Sequence, residues 1–210
     1  MQPEINSPFR GWKATLFEGG LRVPLLMQWP GVLPSGRVLA APVSHVDLFP
    51  TLLAAADLFA QEEDRVQIPL VNPLSGVNLL PALILETPAA TVGDAAAAGL
   101  LEELLLNRPI FWRSGHYKAI RRGSWKLQKS DNPKKMWLYN LDTDPHEWEN
   151  LAAVEPFSTE VLPSLLAALM EEDAKQRTPL WPSLTETAIL IDKLFETNET
   201  LADEYIYWPN

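Results

Sequence analysis

The stretch that decides the fold is residues 10–24, with the sequence RGWKATLFEGGLRVP. Its two glycines, Gly19 and Gly20, permit positive backbone dihedrals and a close approach of neighbouring chain, so we expect a tight turn here. Residues 23–29 follow as a nearly all-apolar run that ends before Pro30. Runs of this kind are typical of strands that are buried on both faces. The stretch therefore predicts a turn that leads into a strand of an α/β sheet.

The composition indicates an acidic globular chain. Its 210 residues include 17 Lys and Arg against 27 Asp and Glu, which gives a net charge of −10, and 47% are hydrophobic. This apolar content can support a buried core in one large domain, or in one medium and one small domain. The negative charge disfavours nucleic acid and anionic membranes as partners. The chain has no cysteine, which excludes disulfides and thiol catalysis.

The second part of the chain is predicted to form a unit of its own. The composition changes near Asn107, so we place the boundary between residues 1–106 and residues 107–210. Beyond it, four short aromatic and apolar runs separated by turn residues predict a four-stranded antiparallel sheet. Alternation along the third run places Lys126 and Gln128 on one face, which we expect to see water while the other face packs on a core.

A helix is expected to cover this sheet. Apolar residues recur at helical spacing at Val161, Leu162, Leu165, Leu166, Leu169 and Met170. Spacing of this kind predicts a helix with one apolar face. The expected fold is therefore α/β over residues 1–106, followed by a small α+β subdomain in which one helix covers a four-stranded antiparallel sheet.

Five landmarks in this chain resemble the sulfatase family, which is arylsulfatase-like and belongs to the alkaline-phosphatase-like superfamily. The first is Lys13 followed by the aromatic-Glu-Gly-Gly-x-Arg-x-Pro pattern. The others follow in order: SHVDLFPTLL at 44–53, GVNLLPAL at 76–83, YKAIRRGSWKL at 117–127 and LYNLDTDPHEWENL at 138–151. The resemblance implies that the chain is the carboxy-terminal part of a sulfatase. Residues 1–106 would end its catalytic α/β domain, and residues 107–210 would form its carboxy-terminal subdomain.

The resemblance also implies roles for individual residues. Lys13 matches the family's catalytic lysine, which donates to a sulfate oxygen and stabilises negative charge during transfer. Glu18 and Arg22 are expected to hold the turn through charge-assisted hydrogen bonds. Between positions 113 and 135 there are eight Lys or Arg and one acidic residue. Within this locally basic sheet, we predict Arg113 and His116 as substrate-binding residues near the pocket.

The nucleophile and the metal ligands of the family have no match in this chain. Sulfatases use a Cys or Ser in Cys/Ser-x-Pro-x-Arg, converted to formylglycine, and an Asp/Asn cluster that holds Ca²⁺. The serine of LPSGR at 33–37 comes after the proline and does not fit, and SDNP at 130–133 suits a turn. We therefore expect formylglycine and Ca²⁺ only in the full-length enzyme, in a missing amino-terminal part upstream of Asn6. This chain alone is expected to hold no metal and to be inactive.

The resemblance predicts hydrolysis of sulfate esters, with a sulfated small molecule or glycan as the partner. Aryl sulfates, sulfated monosaccharides and sulfated polysaccharides all fit. Two alternatives remain: the parent protein is a phosphodiesterase or phosphonate monoester hydrolase of the same superfamily, or the chain is a non-catalytic binding or structural remnant of a split or decayed gene. For a full-length sulfatase, the family implies a periplasmic, secreted or lysosome-like location.

Overall fold

A computed structural model of the protein describes residues 6–13, 15–57, 74–84, 92–131, 134–177, 180, 188–190 and 205–207. The chain divides into two compact units. The first contains Met1–Leu25 and Pro109–Asn210, and the second contains Leu26–Arg108. This division differs from the predicted one, which kept residues 1–106 together.

Helices lie on both sides of a run of four consecutive strands along the described chain. The helices are α1 (Glu18–Leu21), α2 (Leu48–Asp57, preceded by a 3₁₀ turn at His45–Asp47), α3 (Leu80–Leu83), α4 (Val92–Asn107), α5 (Phe157–Glu160) and α6 (Leu162–Lys175). The strands are β1 (Ile110–Ser114), β2 (Tyr117–Arg122), β3 (Trp125–Asp131), β4 (Lys134–Asn140), β5 (Ala188–Leu190) and β6 (Tyr205–Tyr207). Strands β1 to β4 form an antiparallel sheet in chain order, and β5 pairs with β6. A four-stranded antiparallel sheet with helices is thus present, as predicted.

Both faces of the four-stranded sheet are covered, and the residues that cover them come from opposite ends of the sequence. On one face, Leu16 and Phe17 share a core with Tyr117, Ala119, Trp137, Tyr139 and Leu141. On the other face, Leu165 and Leu169 of α6 share a core with Ile120, Leu127, Leu138 and Leu151. The amino-terminal segment therefore belongs with the sheet, because its apolar side chains complete one of the two cores.

The expectation that Lys126 and Gln128 face water is wrong. Both side chains are fully buried. They share the face of the sheet on which Leu16 and Phe17 pack. Alternation correctly predicts which residues of β3 share a face. The face that was expected to be in solvent is instead covered by Leu16 and Phe17, which lie more than a hundred residues earlier in the sequence.

The glycine pair forms a tight helical turn and does not use the positive backbone dihedrals that glycine permits. Gly19 and Gly20 lie within α1, whereas the positive φ belongs to Gly11, at 78°. The predicted close approach is confirmed, since a Cβ added to Gly20 would lie 2.6 Å from the carbonyl oxygen of Trp12. The pair is needed because α1 packs directly on the backbone of the preceding loop.

The predicted strand at residues 23–29 is absent. No strand pairing occurs along it, and Val23 and Leu26 are 78% and 91% exposed. A buried strand requires neighbouring strands and a layer on each face. The described residues supply no neighbouring strand at this segment, and the side chains of Val23 and Leu26 remain in solvent.

The second unit is organised around the carboxylate of Asp47, which is fully buried. It accepts hydrogen bonds from the backbone N–H of Ser44 (2.8 Å) and of Val77 (3.0 Å), and from Nη1 of Arg108 (2.7 Å). Burial acts to raise the pKa of Asp47, but the bonds from Arg108 and the two backbone groups outweigh it and lower the pKa. This carboxylate joins the landmarks at 44–53 and 76–83 to the end of α4.

The covering of the sheet by the amino-terminal segment can be tested with fragments. We expect residues 107–210 expressed alone to bind a hydrophobic dye and to unfold without a cooperative transition, because Trp137 and Tyr139 lose the packing of Phe17. A synthetic peptide of residues 6–25, added in trans, is expected to restore a sigmoidal circular-dichroism melt. The same peptide carrying Phe17→Asp serves as the control. A melt of the lone fragment that equals that of the whole chain would contradict this account.

Candidate functional site

Lys13 is exposed on a short loop whose base is closed by hydrogen bonds. We refer to residues 10–15 as the lysine loop; Ala14 lies outside the described residues. The backbone N–H and the Oγ1 of Thr15 both donate to the carbonyl oxygen of Trp12, each at 2.9 Å. The N–H of Gly19 donates to the carbonyl oxygen of Arg10 at 2.8 Å. The loop thus holds Lys13 at the protein surface on a closed backbone ring.

Glu147 fastens the lysine loop and α1 to the loop that follows β4. Its carboxylate is fully buried, and its Oε2 accepts from the backbone N–H of Glu18 at 2.5 Å. Its Oε1 accepts from Nε2 of Gln128 at 2.9 Å. Its backbone carbonyl accepts from Nη1 of Arg10 at 2.9 Å, and the same guanidinium nitrogen donates to the hydroxyl of Tyr139. One residue therefore bonds to α1, to the base of the lysine loop and to β3.

Lys126 completes this arrangement from the middle of β3. Its Nζ lies 2.8 Å from Oε1 of Glu18 and 2.9 Å from Oε1 of Glu147. The three side chains, Glu18, Lys126 and Glu147, are called the buried ion cluster below. Glu18 was expected to hold only its own turn, but it reaches across to the sheet. The cluster joins three of the five sequence landmarks at one point.

The electrostatics of the cluster are dominated by its burial. Desolvation raises the pKa of the Glu147 carboxyl above its ordinary value of 4.5. The charge of Lys126 and the N–H of Glu18 oppose this rise, while the carboxylate of Glu18 adds to it. The folded protein therefore takes up a proton at Glu147 more readily than the unfolded chain does.

Arg113, a predicted substrate-binding residue, lies on the opposite face of the sheet from the core of Leu16 and Phe17. It shares this face with Phe111, which packs with the core beneath α6. Its Nη1 lies 3.3 Å from Oδ1 of Asp173 in α6. The structure thus does not bring Arg113 together with the lysine loop.

Much of the locally basic sheet is neutralised from within the same unit. Lys118 lies 2.7 Å from Asp173 and 3.0 Å from Asp131, and Lys129 also pairs with Asp131. His116 lies in the turn between β1 and β2, where its carbonyl oxygen accepts from the N–H of Asp131 at 3.0 Å. The part of the chain that the structure describes therefore places His116 at the turn end of the hairpin, next to the backbone of Asp131.

The described residues do not supply a donor set for a calcium ion. Among them, no group of three or more His, Cys, Asp or Glu side chains is close enough to hold a metal. Ca²⁺ takes six to eight oxygen ligands, whereas the buried carboxylates of Glu18, Asp47 and Glu147 are each bonded to a Lys or an Arg. No helix within the described ranges combines the length and apolarity needed to cross a bilayer.

Comparisons with known proteins agree on one family. The Sulfatase family model matches residues 3–58. The chain is 34% identical over 183 residues to N-acetylgalactosamine-6-sulfatase of Sus scrofa, which covers 86% of this chain and 30% of that protein. It is 42% identical over 81 residues to steryl-sulfatase of Rattus norvegicus, covering 38% of this chain and 12% of that one. This chain therefore spans about a third or less of the length of these relatives.

A solved structure is also similar over most of the chain. It is the crystal structure of Ps i-CgsB in complex with k-i-k-neocarrahexaose, with a TM-score of 0.59 and 26% sequence identity. The match covers 84% of this chain and 34% of the other chain. The similarity thus extends well beyond the residues that the family model matches.

The contribution of the buried ion cluster can be measured by removing its cation. Lys126→Met leaves two buried carboxylates without their ammonium group, so we expect the free energy of unfolding to fall by about 3–5 kcal/mol. The matched control is Lys129→Met, on the same strand. Its partly exposed ion pair is expected to contribute about 1 kcal/mol or less. Urea denaturation measures both values, and equal losses for the two variants would refute the buried role of Lys126.

The raised pKa of Glu147 predicts a pH dependence with a definite sign. A raised folded-state pKa gives stabilisation that is fully present below pH 4.5 and is lost as the pH rises through the folded-state pKa. Glu147→Gln removes this titration. Its free energy of unfolding, relative to wild type, is therefore expected to increase from about pH 4 toward neutrality, as measured by denaturation at a series of pH values. The exposed Glu149→Gln controls for net charge, and a relative stability that instead falls would mean a lowered pKa.

Proposed function

Because the chain belongs to the sulfatase family, a family of sulfuric ester hydrolases, we propose that it forms part of an enzyme that hydrolyses the sulfate esters of carbohydrates. In this proposal Lys13 donates to a sulfate oxygen. The chain corresponds to the carboxy-terminal part of such an enzyme, and the sheet with α6 is its carboxy-terminal subdomain.

The observation that carries the proposal is the way Lys13 is presented. Its side chain is exposed, while the loop around it is closed by hydrogen bonds and is joined to the sheet through Arg10. A cation stabilises charge that develops in a transition state most effectively when it is already in position before reaction. A lysine on a loosely held loop would lose this advantage.

Two relatives support a sulfated glycan rather than a simple aryl sulfate as the substrate. One is named N-acetylgalactosamine-6-sulfatase and is 34% identical to this chain. The other, Ps i-CgsB, was crystallised with k-i-k-neocarrahexaose. We propose that the substrate of this protein is likewise a carbohydrate that carries sulfate.

The remaining chemistry belongs, in this proposal, to parts of a sulfatase outside the described residues. A formylglycine nucleophile and Ca²⁺ would supply attack on sulfur and charge neutralisation there. The described residues contribute by binding and orienting: Lys13 contacts sulfate, and the buried ion cluster fixes the base of its loop. These 210 residues alone are accordingly expected to bind sulfate without turnover.

The test uses the longest open reading frame that contains these residues, expressed with a formylglycine-generating enzyme. We expect Lys13→Ala to lower kcat/KM for sulfate release from a sulfated oligosaccharide on the order of 10²- to 10³-fold, since it removes one charge-stabilising donor. Lys13→Arg is expected to retain part of the activity. The control is Lys134→Ala, an exposed lysine of β4 whose loss is expected to leave the rate unchanged.

Other outcomes of this assay decide between the alternatives. Cleavage of a phosphodiester but not of a sulfate ester would replace the proposal with the phosphodiesterase hypothesis. A folded full-length protein that turns over neither substrate would favour a binding module. Arg113→Ala and His116→Ala belong in the same series, because a raised KM with unchanged kcat would support their predicted substrate contacts.

A further inference from the structure

We propose that Trp148, together with Phe9 and His146, forms a subsite on which a sugar ring of the substrate stacks. These three residues are called the aromatic platform. The inference rests on the proposed function for its ligand class, a sulfated glycan. It adds a second contact region beside the one that contains Lys13.

The aromatic platform combines an exposed indole with a pair of ordered rings. The Trp148 side chain is 67% exposed and lies two positions after His146 on the loop that follows β4. The His146 ring meets the Phe9 ring edge-on, with 5.7 Å between centroids. The guanidinium of Arg22 lies over the same Phe9 ring, 4.8 Å from its centroid. The contact between His146 and Phe9 therefore joins the loop after β4 to the residue that precedes the lysine loop.

The backbone beneath Trp148 is fixed by buried contacts. Its neighbour Glu147 bonds through the side chain to Glu18 and Lys126, and through its carbonyl to Arg10. On the other side, the N–H of Glu149 donates to Oδ2 of Asp144 at 2.9 Å. Single exposed apolar residues are common on protein surfaces. Trp148 differs because the residue before it is the buried anchor of the lysine loop.

The anchoring and the exposure together indicate a binding role. A rigid aromatic side chain offers a large contact area with little loss of conformational freedom on binding. The apolar C–H face of a sugar ring can pack on such a ring face, while sulfate groups on the same glycan are attracted by Arg22 and Lys13. A small aryl sulfate offers one ring and one sulfate group, whereas a sulfated oligosaccharide offers several sugar rings and several sulfate groups. The aromatic platform therefore favours an oligosaccharide over a small sulfate ester.

The experiment measures binding to the 210-residue chain by NMR titration. The probes are a sulfated hexasaccharide, its desulfated form and inorganic sulfate. We expect Trp148→Ala to weaken binding of the sulfated hexasaccharide by about three- to tenfold, the range expected for one aromatic contact. Its affinity for inorganic sulfate is expected to match that of wild type. Trp148→Phe retains a ring and is expected to restore most of the loss.

The desulfated hexasaccharide isolates the aromatic platform from Lys13. Its weaker binding is expected to be lost in Trp148→Ala and unaffected by Lys13→Ala. Met170→Ala is the matched control, because Met170 is 62% exposed but belongs to α6. It is expected to change none of the three affinities. Unchanged amide spectra outside the loop after β4 verify that Trp148→Ala is folded.

Failure of this inference can be told apart from failure of the proposed function. Wild-type affinity of Trp148→Ala for both hexasaccharides, with Lys13→Ala still weakening the sulfated one, overturns only the aromatic platform. Absence of any hexasaccharide binding by the wild-type chain also overturns the aromatic platform, and the turnover assay then decides the proposed function by itself. Insensitivity of sulfate and sulfated-glycan binding to Lys13→Ala contradicts the role of Lys13, whatever Trp148 does.

Discussion

The ammonium group of Lys126, buried between two carboxylates, is the constraint on which the first unit depends. Removing a charge from water is costly, and the cost is recovered only when partners with good geometry surround it. Lys126 comes from β3, Glu18 from the amino-terminal landmark and Glu147 from the loop after β4. Strand β3 therefore cannot keep its burial unless segments more than a hundred residues apart meet on one face of the sheet. The position of the lysine loop follows from this requirement.

The same requirement places the surface that carries Lys13 and Trp148 above a rigid base. The buried ion cluster lies beneath the two loops that carry Lys13 and Trp148, and each loop also has its own hydrogen bonds. A preorganised cation and a preorganised aromatic ring both need a backbone that does not move when the ligand binds. In this chain one set of buried bonds supplies that rigidity for both. The stability of the sheet and the positions of Lys13 and Trp148 thus depend on residues of the same landmarks.

Local patterns were sufficient where local interactions decide the structure. Alternation and turn residues predict the four strands, and helical spacing predicts α6. Sequence patterns failed where contacts with a segment distant in sequence determine whether a residue is buried. Alternation places Lys126 on the face that is expected to see water, and nothing near it in sequence shows that Glu18 and Glu147 are its buried partners. The prediction of a strand at residues 23–29 failed for the opposite reason. A buried strand requires neighbouring strands, and the described residues contain none beside this segment.

At Glu147 the backbone conformation favours glycine, whereas the buried ion pair requires a carboxylate. Its φ is 61°, a region that disfavours any residue with a Cβ by roughly 1–2 kcal/mol. Glycine would relieve that cost but would leave Lys126 without one of its two carboxylates, and breaking a buried ion pair costs about 3–5 kcal/mol. Loss of the ion pair is the more costly of the two, so glutamate is favoured despite the strain. The left-handed backbone of Glu147 also determines the directions in which the chain continues to His146 on one side and to Trp148 on the other. The ion pair between Lys126 of β3 and Glu147 thereby sets the direction of the loop from which the aromatic platform extends.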